Sequence, residues 1–230
     1  TGTDTGVGKS VISGLLGRYL SGKGCRVITQ KWVQTGSKNF SEDVELHLKL
    51  MKRKKRHIEK YLSYVSPYTF KSASSPHLAA ALEKKTISAD KIKKSFRFLS
   101  DEFDFVIIEG VGGALVPFSN KKLVIDIARE LDLAVLVVAG NRLGVINHTL
   151  LTLEAIKKRN MKTIGIIFNN QPRKTDDVIL KNNPRIIKKL TGETILGVLP
   201  WMKDKEQLYK KFTPIGKRII VSLKEKLKNG

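Results

Sequence analysis

At 230 residues, with 41% hydrophobic and 28% charged side chains, the chain has the make-up of one generous α/β domain rather than a fibrous or disordered polymer. A lone Cys25 excludes an intramolecular disulfide, no Cys/His cluster has metal-ligand spacing, and no stretch approaches the ~18 apolar residues of a membrane helix. The formal charge of +22 is the one unusual bulk property, yet the lysines are spread along the whole chain, and the densest run, Lys52-Arg53-Lys54-Lys55-Arg56, has no interleaved aromatic residue. The run reads as a solvated face, and the expectation is a cytoplasmic protein with neither a nucleic-acid nor a membrane partner.

The first ten residues, TGTDTGVGKS, form a glycine-rich turn that runs directly into a helix. Gly2, Gly6 and Gly8 let the backbone bend tightly and bring its N–H groups toward an anion. Lys9 supplies a point charge for outer phosphates, and Ser10 a hydroxyl of the kind that ligands Mg²⁺. Val11, Ile12, Leu15, Leu16, Tyr19 and Leu20 follow at helical spacing, so the positive end of the helix faces the loop. This is a phosphate-binding P-loop, one residue longer than the generic motif because Thr3 stands where the first glycine usually does. Such a loop follows a buried strand; here the sequence starts inside the motif, so the first strand is expected upstream of residue 1.

Further along, residues 25–30 read as a short buried strand that delivers Lys31 and the segment Trp32–Ser37 to its end. Ser41 looks like an N-cap for a helix carrying Asp43, Leu46, Leu48 and Leu50. Ser63 to Pro76 reads as a loop, with helical periodicity returning at 78–82 and 92–99. Residues 104–108 form a continuous apolar run after one acid, as expected of a parallel strand buried on both faces, and lead into Glu109 and a glycine loop. Residues 133–140, 163–170 and 195–200 are three more strands, with helices at about 145–159, 176–190 and 216–228. The alternation predicts a single domain over 1–230: an α/β, P-loop NTPase-type fold with a mostly parallel sheet and helices on both faces.

Ligands in such sheets bind beyond the carboxyl ends of the strands. Lys31 and Thr35, Glu109 with its glycines, and Asn169 with Asn170 all sit at such ends, as does the P-loop. Mg²⁺ bound to a nucleotide prefers hard oxygens, for which Ser10 and Glu109 are the candidates by position, with Asp43 second. Lys31 can stabilise charge on a transferring phosphoryl group. His77 and His148 have no Ser or Cys partner at motif spacing and read as structural or substrate contacts rather than bases.

The chain resembles the dethiobiotin synthetases. The matching pieces are GTDTGVGKS (2–10), Lys31 with Thr35-Gly36-Ser37, PYTF (67–70), SSPH (74–77), VIIEGVGG (106–113), LGVINHTLLT (143–152), Asn169-Asn170 and LGVLPW (196–201), in family order over nearly the whole chain. The long P-loop is also that family's pattern. The resemblance implies a ligase of biotin biosynthesis that converts 7,8-diaminopelargonate, CO₂ and ATP to dethiobiotin, ADP and phosphate, with Mg²⁺, as a homodimer. It implies that Lys9 and Lys31 are catalytic at the γ-phosphate and carbamate, and that Ser10, Asp43 and Glu109 hold the metal. It further assigns Thr5, Gly6, Val7, Gly8, Gly110, Val111, Gly112, Asn169, Asn170, Pro200, Trp201 and Met202 to the nucleotide. Thr5, Thr35, Gly144, Val145 and Asn147 fall to the diamine substrate, the last three across the dimer interface.

Two departures stand out. Trp32 replaces the proline that usually follows the active lysine and would stiffen its turn, and Ser10 replaces a threonine. A nucleotide switch resembling ParA or MinD is the rival reading. Those switches carry an extra lysine early in the loop, where this chain has Asp4, and they lack the PYTF, SSPH and LGVINH pieces. An amidotransferase-type synthetase would need a glutaminase cysteine, and Cys25 lies too early in the chain to supply it.

Overall fold

The structure, a computed structural model, describes residues 1–172 and 175–228. It divides the chain into two compact units: Thr1–Lys9, Gly112–Ala114 and Asp132–Gly230 form one, Ser10–Val111 and Leu115–Leu131 the other.

The first unit is built on three parallel strands, β5 (Val135–Asn141), β6 (Thr163–Asn170) and β7 (Ile195–Leu199), in the order β5-β6-β7. Runs of Val, Ile and Leu make these strands, and β6 is buried along nearly its whole length. Helix α7 (Val145–Lys157) packs on β5, and α9 (Lys205–Lys228) lies along β6 and β7 through Leu208, Phe212, Ile215 and Ile219. Helix α8 (Asp177–Thr191) starts at Asp176, whose carboxylate accepts from the Val178 N–H, and stops at Gly192 in the left-handed region. Gly2 bridges β5 at Val138 and also pairs with Gly113, so the P-loop leaves from alongside a sheet strand.

In the second unit, β1 (Val27–Lys31) pairs in parallel with β4 (Phe105–Glu109), and the register sets Lys31 opposite Glu109. Helix α1 (Lys9–Ser21) enters this unit at Ser10. Helix α2 (Glu42–Leu50) is capped by Ser41, whose Oγ accepts from the Val44 N–H at 3.2 Å, and its first-turn acids suit the helix dipole. The core joins Ile28 of β1, Val44 and Leu48 of α2, and Ile58, Tyr61, Val65 and Leu99. These last four come from a 3-10 helix (Lys55–Tyr61), α3 (Leu62–Val65) and α5 (Ala89–Glu102). Helices α4 (Pro76–Leu82) and α6 (Val124–Glu130) complete the unit.

Four features differ from the sequence expectation. Residues expected as loop between Ser63 and Pro76 begin in α3 and include a two-residue strand, β3 (Tyr68–Thr69), paired with β2 (Val33–Gln34). The C-terminal helix starts at Lys205 rather than near 216. Pro214 lies inside it, the buried stripe runs through the proline, and Asp204 accepts from the N–H groups of Glu206 and Gln207 at its start. Phe105–Ile108 of β4 are half-buried rather than buried on both faces, whereas β1 beside it is buried throughout. Helix α6 has no counterpart among the expected elements. The basic run is partly structural: Arg53 donates to the Val27 carbonyl at 2.7 Å and to Ser21 Oγ, and the Lys55 ammonium lies 4.3 Å from the Phe40 ring. Among the described residues no helix is long and apolar enough to cross a membrane.

Candidate active site

In the first unit the P-loop is held in shape from several sides. The Thr3 N–H donates to the Val138 carbonyl, and the Val138 N–H donates to the Thr1 carbonyl. Asn169, at the end of β6, donates from Nδ2 to the Val7 carbonyl at 2.9 Å. Gly8 sits at φ +99°, and a Cβ there would come within 2.1 Å of that same Nδ2, so only glycine lets the asparagine clamp the loop. Lys9 Nζ donates to the Asp4 carbonyl at 2.9 Å, while the Asp4 carboxylate caps the Thr5 N–H and pairs with Arg142 at 2.8 Å. Asp4 is therefore committed to ordering the loop. A cavity of about 640 Å³ opens beside Thr5, Gly6 and Val7, with Arg142, Gln171 and Asp176 on its other walls.

Register gathers the other expected residues of this unit. Gly140, Asn169 and Leu199 lie in line across β5, β6 and β7, so Asn170 and Pro200 leave the sheet side by side. Asn170 Oδ1 accepts from Asn141 Nδ2 at 2.9 Å, which turns its acceptor into the sheet end. Beyond Pro200, Trp201 is exposed and Met202 half-buried. Gly112 has φ +59°. Gly144 caps α7 in the left-handed region; Val145 is buried and Asn147 is exposed.

The second unit holds a compact charged cluster at the ends of β1 and β4. Lys31 Nζ lies 2.7 Å from Asp43 Oδ2 and 2.8 Å from Glu109 Oε1, and donates to the Gly110 carbonyl at 3.2 Å. Ser10 Oγ lies 2.7 Å from Asp43 Oδ1 and 3.0 Å from Glu109 Oε1. The side chains of Lys31 and Glu109 are 4% and 2% exposed. Burial by itself pushes the Glu109 carboxyl up, but the hydrogen bond from His47 and the charge of Lys31 outweigh it and lower it from 4.5 to about 2. Glu109 is thus an anion held in place by its neighbours. Gln34 supports Asp43: its Oε1 accepts from Ser41 Oγ at 2.8 Å and from the Asp43 N–H at 3.3 Å, and its Nε2 donates to the Thr35 carbonyl. Thr35 is half-buried beside it, and Gly110 and Val111 continue from Glu109. Trp32 is buried and donates from Nε1 to Gln30 Oε1 at 3.0 Å, while Gln30 Nε2 donates to the Tyr64 carbonyl. That chain of bonds steadies the turn after Lys31 in place of a proline ring.

Ser10, Lys31, Asp43 and Glu109 were all expected, and the structure sets both Ser10 and Lys31 within hydrogen-bond reach of both carboxylates. His47 was not. Its only sequence signal is its position four residues after Asp43, on the same face of α2. His77 stands in the first turn of α4, and His148 is exposed on α7.

A family described as AAA domain matches residues 1–207. The ATP-dependent dethiobiotin synthetase BioD 2 of Haemophilus influenzae is 36% identical over 187 residues, covering 81% of this chain and 96% of that protein. The synthetase BioD of Chlorobaculum tepidum is 40% identical over 187 residues, covering 81% and 77%. That of Clostridium perfringens strain ATCC 13124 is 36% identical over 210 residues, covering 90% and 91%. Among solved structures, pNOB8 ParA bound to nonspecific DNA aligns with a TM-score of 0.62 at 13% identity, covering 98% and 97% of the two chains. The Pyrococcus furiosus cell division ATPase MinD aligns at 0.54 and 17%, covering 94% of each. The structural likeness establishes an α/β P-loop NTPase fold on parallel strands and, at such identities, the fold alone.

Proposed function

The chain belongs to the ATP-dependent dethiobiotin synthetase family, and from that premise we propose that it joins 7,8-diaminopelargonate to CO₂ at the expense of ATP, yielding dethiobiotin, ADP and phosphate. One amine of the diamine adds to CO₂ and loses a proton, giving a carbamate. A carbamate oxygen attacks the γ-phosphorus and ADP leaves. The second amine then attacks the carbamoyl carbon, phosphate departs with the C–O electron pair, and the ureido ring closes. Phosphorylation is needed because a carbamate oxygen is a poor leaving group until it carries phosphate.

The observation that carries this reading is the Ser10–Lys31–Asp43–Glu109 cluster, a buried lysine presented with two carboxylates and a hydroxyl at the ends of two strands. In this reading the N–H groups of Thr5 to Lys9 cradle phosphate, and Lys9 and Lys31 neutralise charge on the γ-phosphoryl group and the carbamate. Asn169, Asn170 and Pro200 to Met202 border the adenine, and Thr5, Thr35 and Gly110 to Gly112 border the groups being joined. Mg²⁺ belongs to the same reading. The donor set fits it: Ser10 Oγ is 2.7 and 3.0 Å from carboxylate oxygens of Asp43 and Glu109, three hard ligands that would hold the ion directly or through water. The bound ion would offset the negative charge of the phosphates.

The same reading makes the enzyme a homodimer that works where ATP and CO₂ are at hand, in the cytoplasm. Leu143 and Leu151 support a partner surface, being 81% and 53% exposed beside Gly144 and Asn147. ATP turnover measured with and without the diamine and bicarbonate, with mass analysis of the product and Lys31→Ala alongside, tests the proposal. ADP release that requires the diamine, and a product heavier by one ureido carbonyl, is expected. Turnover indifferent to the diamine in folded protein would overturn it in favour of a nucleotide switch.

A further inference from the structure

Glu109 has two oxygens, and the structure gives them different work. Oε1 faces Ser10 and Lys31; Oε2 lies 2.7 Å from His47 Nε2. The His47 side chain is fully buried, and among the described residues its Nδ1 has no hydrogen-bond partner. The ring therefore engages through Nε2 alone, donating to the ionised carboxylate. Its depth is set by backbone: a Cβ on Gly14 of α1 would come within 3.1 Å of His47 Cα and 2.9 Å of Leu50 Cβ. Helices α1 and α2 thus meet at two levels one turn apart. Ser10 meets Asp43 at the first, and Gly14 admits His47 at the second.

We infer that His47 is a positioning residue that reserves Oε2 of Glu109, so that this carboxylate presents a single oxygen, Oε1, to the cation of the site. The inference rests on the Mg²⁺ site proposed above. Mg²⁺ demands near-ideal octahedral geometry at short distance, whereas Ca²⁺ accepts bidentate carboxylates and looser cages. A carboxylate pinned at one oxygen suits the first ion and resists the second. Without the imidazole, Glu109 is free to swing about its last torsion and offer both oxygens. Hydrogen bonds that orient ligating groups in this way are worth about 10–100-fold in metal affinity when removed.

The test is Mn²⁺ binding in the presence of ADP, followed by the electron paramagnetic resonance of the free ion, with Mg²⁺ and Ca²⁺ as competitors. It needs no turnover. His47→Gln places an amide nitrogen near the position of Nε2, whereas His47→Asn is too short to reach Glu109, and both are polar replacements of similar disturbance to the core. The Gln variant is expected to bind Mn²⁺ within about threefold of the native protein, and the Asn variant at least ~10-fold more weakly, with Ca²⁺ gaining ground on Mg²⁺ as competitor. Equal affinities and equal Mg²⁺/Ca²⁺ preference in the two variants, both folded by circular dichroism, would overturn the role of His47. Native protein that binds no Mn²⁺ with ADP would instead overturn the metal site on which the inference rests. If the Asn variant does not fold, His47→Leu and His47→Gln form the comparison, and equal binding by that pair would overturn the role just the same.

Discussion

Replacing Lys31 with methionine keeps most of the side chain's volume and removes its charge. In the native chain that charge lies within 2.8 Å of both Asp43 and Glu109, and Glu109 is almost fully enclosed. Taking away one member of a buried ion cluster leaves the other uncompensated, which costs about 3–5 kcal/mol. Asp43 is 26% exposed and water can relieve it, so the cost falls on Glu109. For a protein of this size each kcal/mol moves the melting temperature by about 2–4 °C, giving a drop on the order of 10 °C. Thermal denaturation by circular dichroism, at neutral pH without nucleotide or divalent metal, measures it. The double variant Lys31→Met/Glu109→Gln removes the orphaned charge and is expected to regain more than half of the loss. A single variant that melts within about 1 °C of native, or a double variant no better than the single, would refute the reasoning that these charges balance one another.

Glu109 also ties stability to acid. Its folded value, about 2, lies below its ordinary 4.5, so the unfolded chain binds more protons between those values; the contribution is full above 4.5 and is lost as pH falls toward 2. It amounts to roughly 3 kcal/mol, and urea titrations between pH 6 and pH 2.5, compared with Glu109→Gln, should show a gentler acid loss in the variant. Gly8→Ala sets a methyl 2.1 Å from Asn169 Nδ2 at a positive φ, which is expected to cost about 1–3 kcal/mol and weaken ATP binding at least ~10-fold, read by fluorescent-nucleotide competition. Asn169→Ala in that background should restore part of the stability by clearing the clash. Leu143→Asp places a charge on the most exposed leucine; if the proposed homodimer forms through this surface, the variant is expected to sediment as a monomer, leaving its melting curve at high dilution unchanged.

The parts of the fold that were legible in the sequence are those where one local rule acts alone. The P-loop announces itself because glycine, lysine and serine have to stand together there, and the apolar runs at 133–140 and 163–170 can hardly be anything but buried strands. Lys31 and Glu109 were legible as strand ends, and β-pairing then puts them opposite each other. What the sequence hid depends on partners distant along the chain. His47 sits between two leucines, and only the approach of Gly14 and Glu109 turns it from core filler into a hydrogen-bond donor. Gln34 and Arg53 are ordinary polar residues until folding lays them against Asp43 and Val27. Pro214 reads as a break, yet α9 continues because packing of Phe212, Ile215 and Ile219 outweighs one lost backbone hydrogen bond. The two-residue pairing of β2 with β3 is too short to carry any pattern.

The central claim is that a carbamate oxygen attacks the γ-phosphorus of ATP, and isotope transfer reads that step directly. The enzyme would be supplied with ATP, the diamine and oxygen-18 carbon dioxide in ordinary water, without carbonic anhydrase, and the phosphate analysed by mass before the label exchanges. Attack by the carbamate leaves one oxygen-18 atom in each phosphate and one in the ureido carbonyl. Unlabelled phosphate formed alongside labelled dethiobiotin would mean that water, not the carbamate, took the phosphoryl group, and would contradict the account.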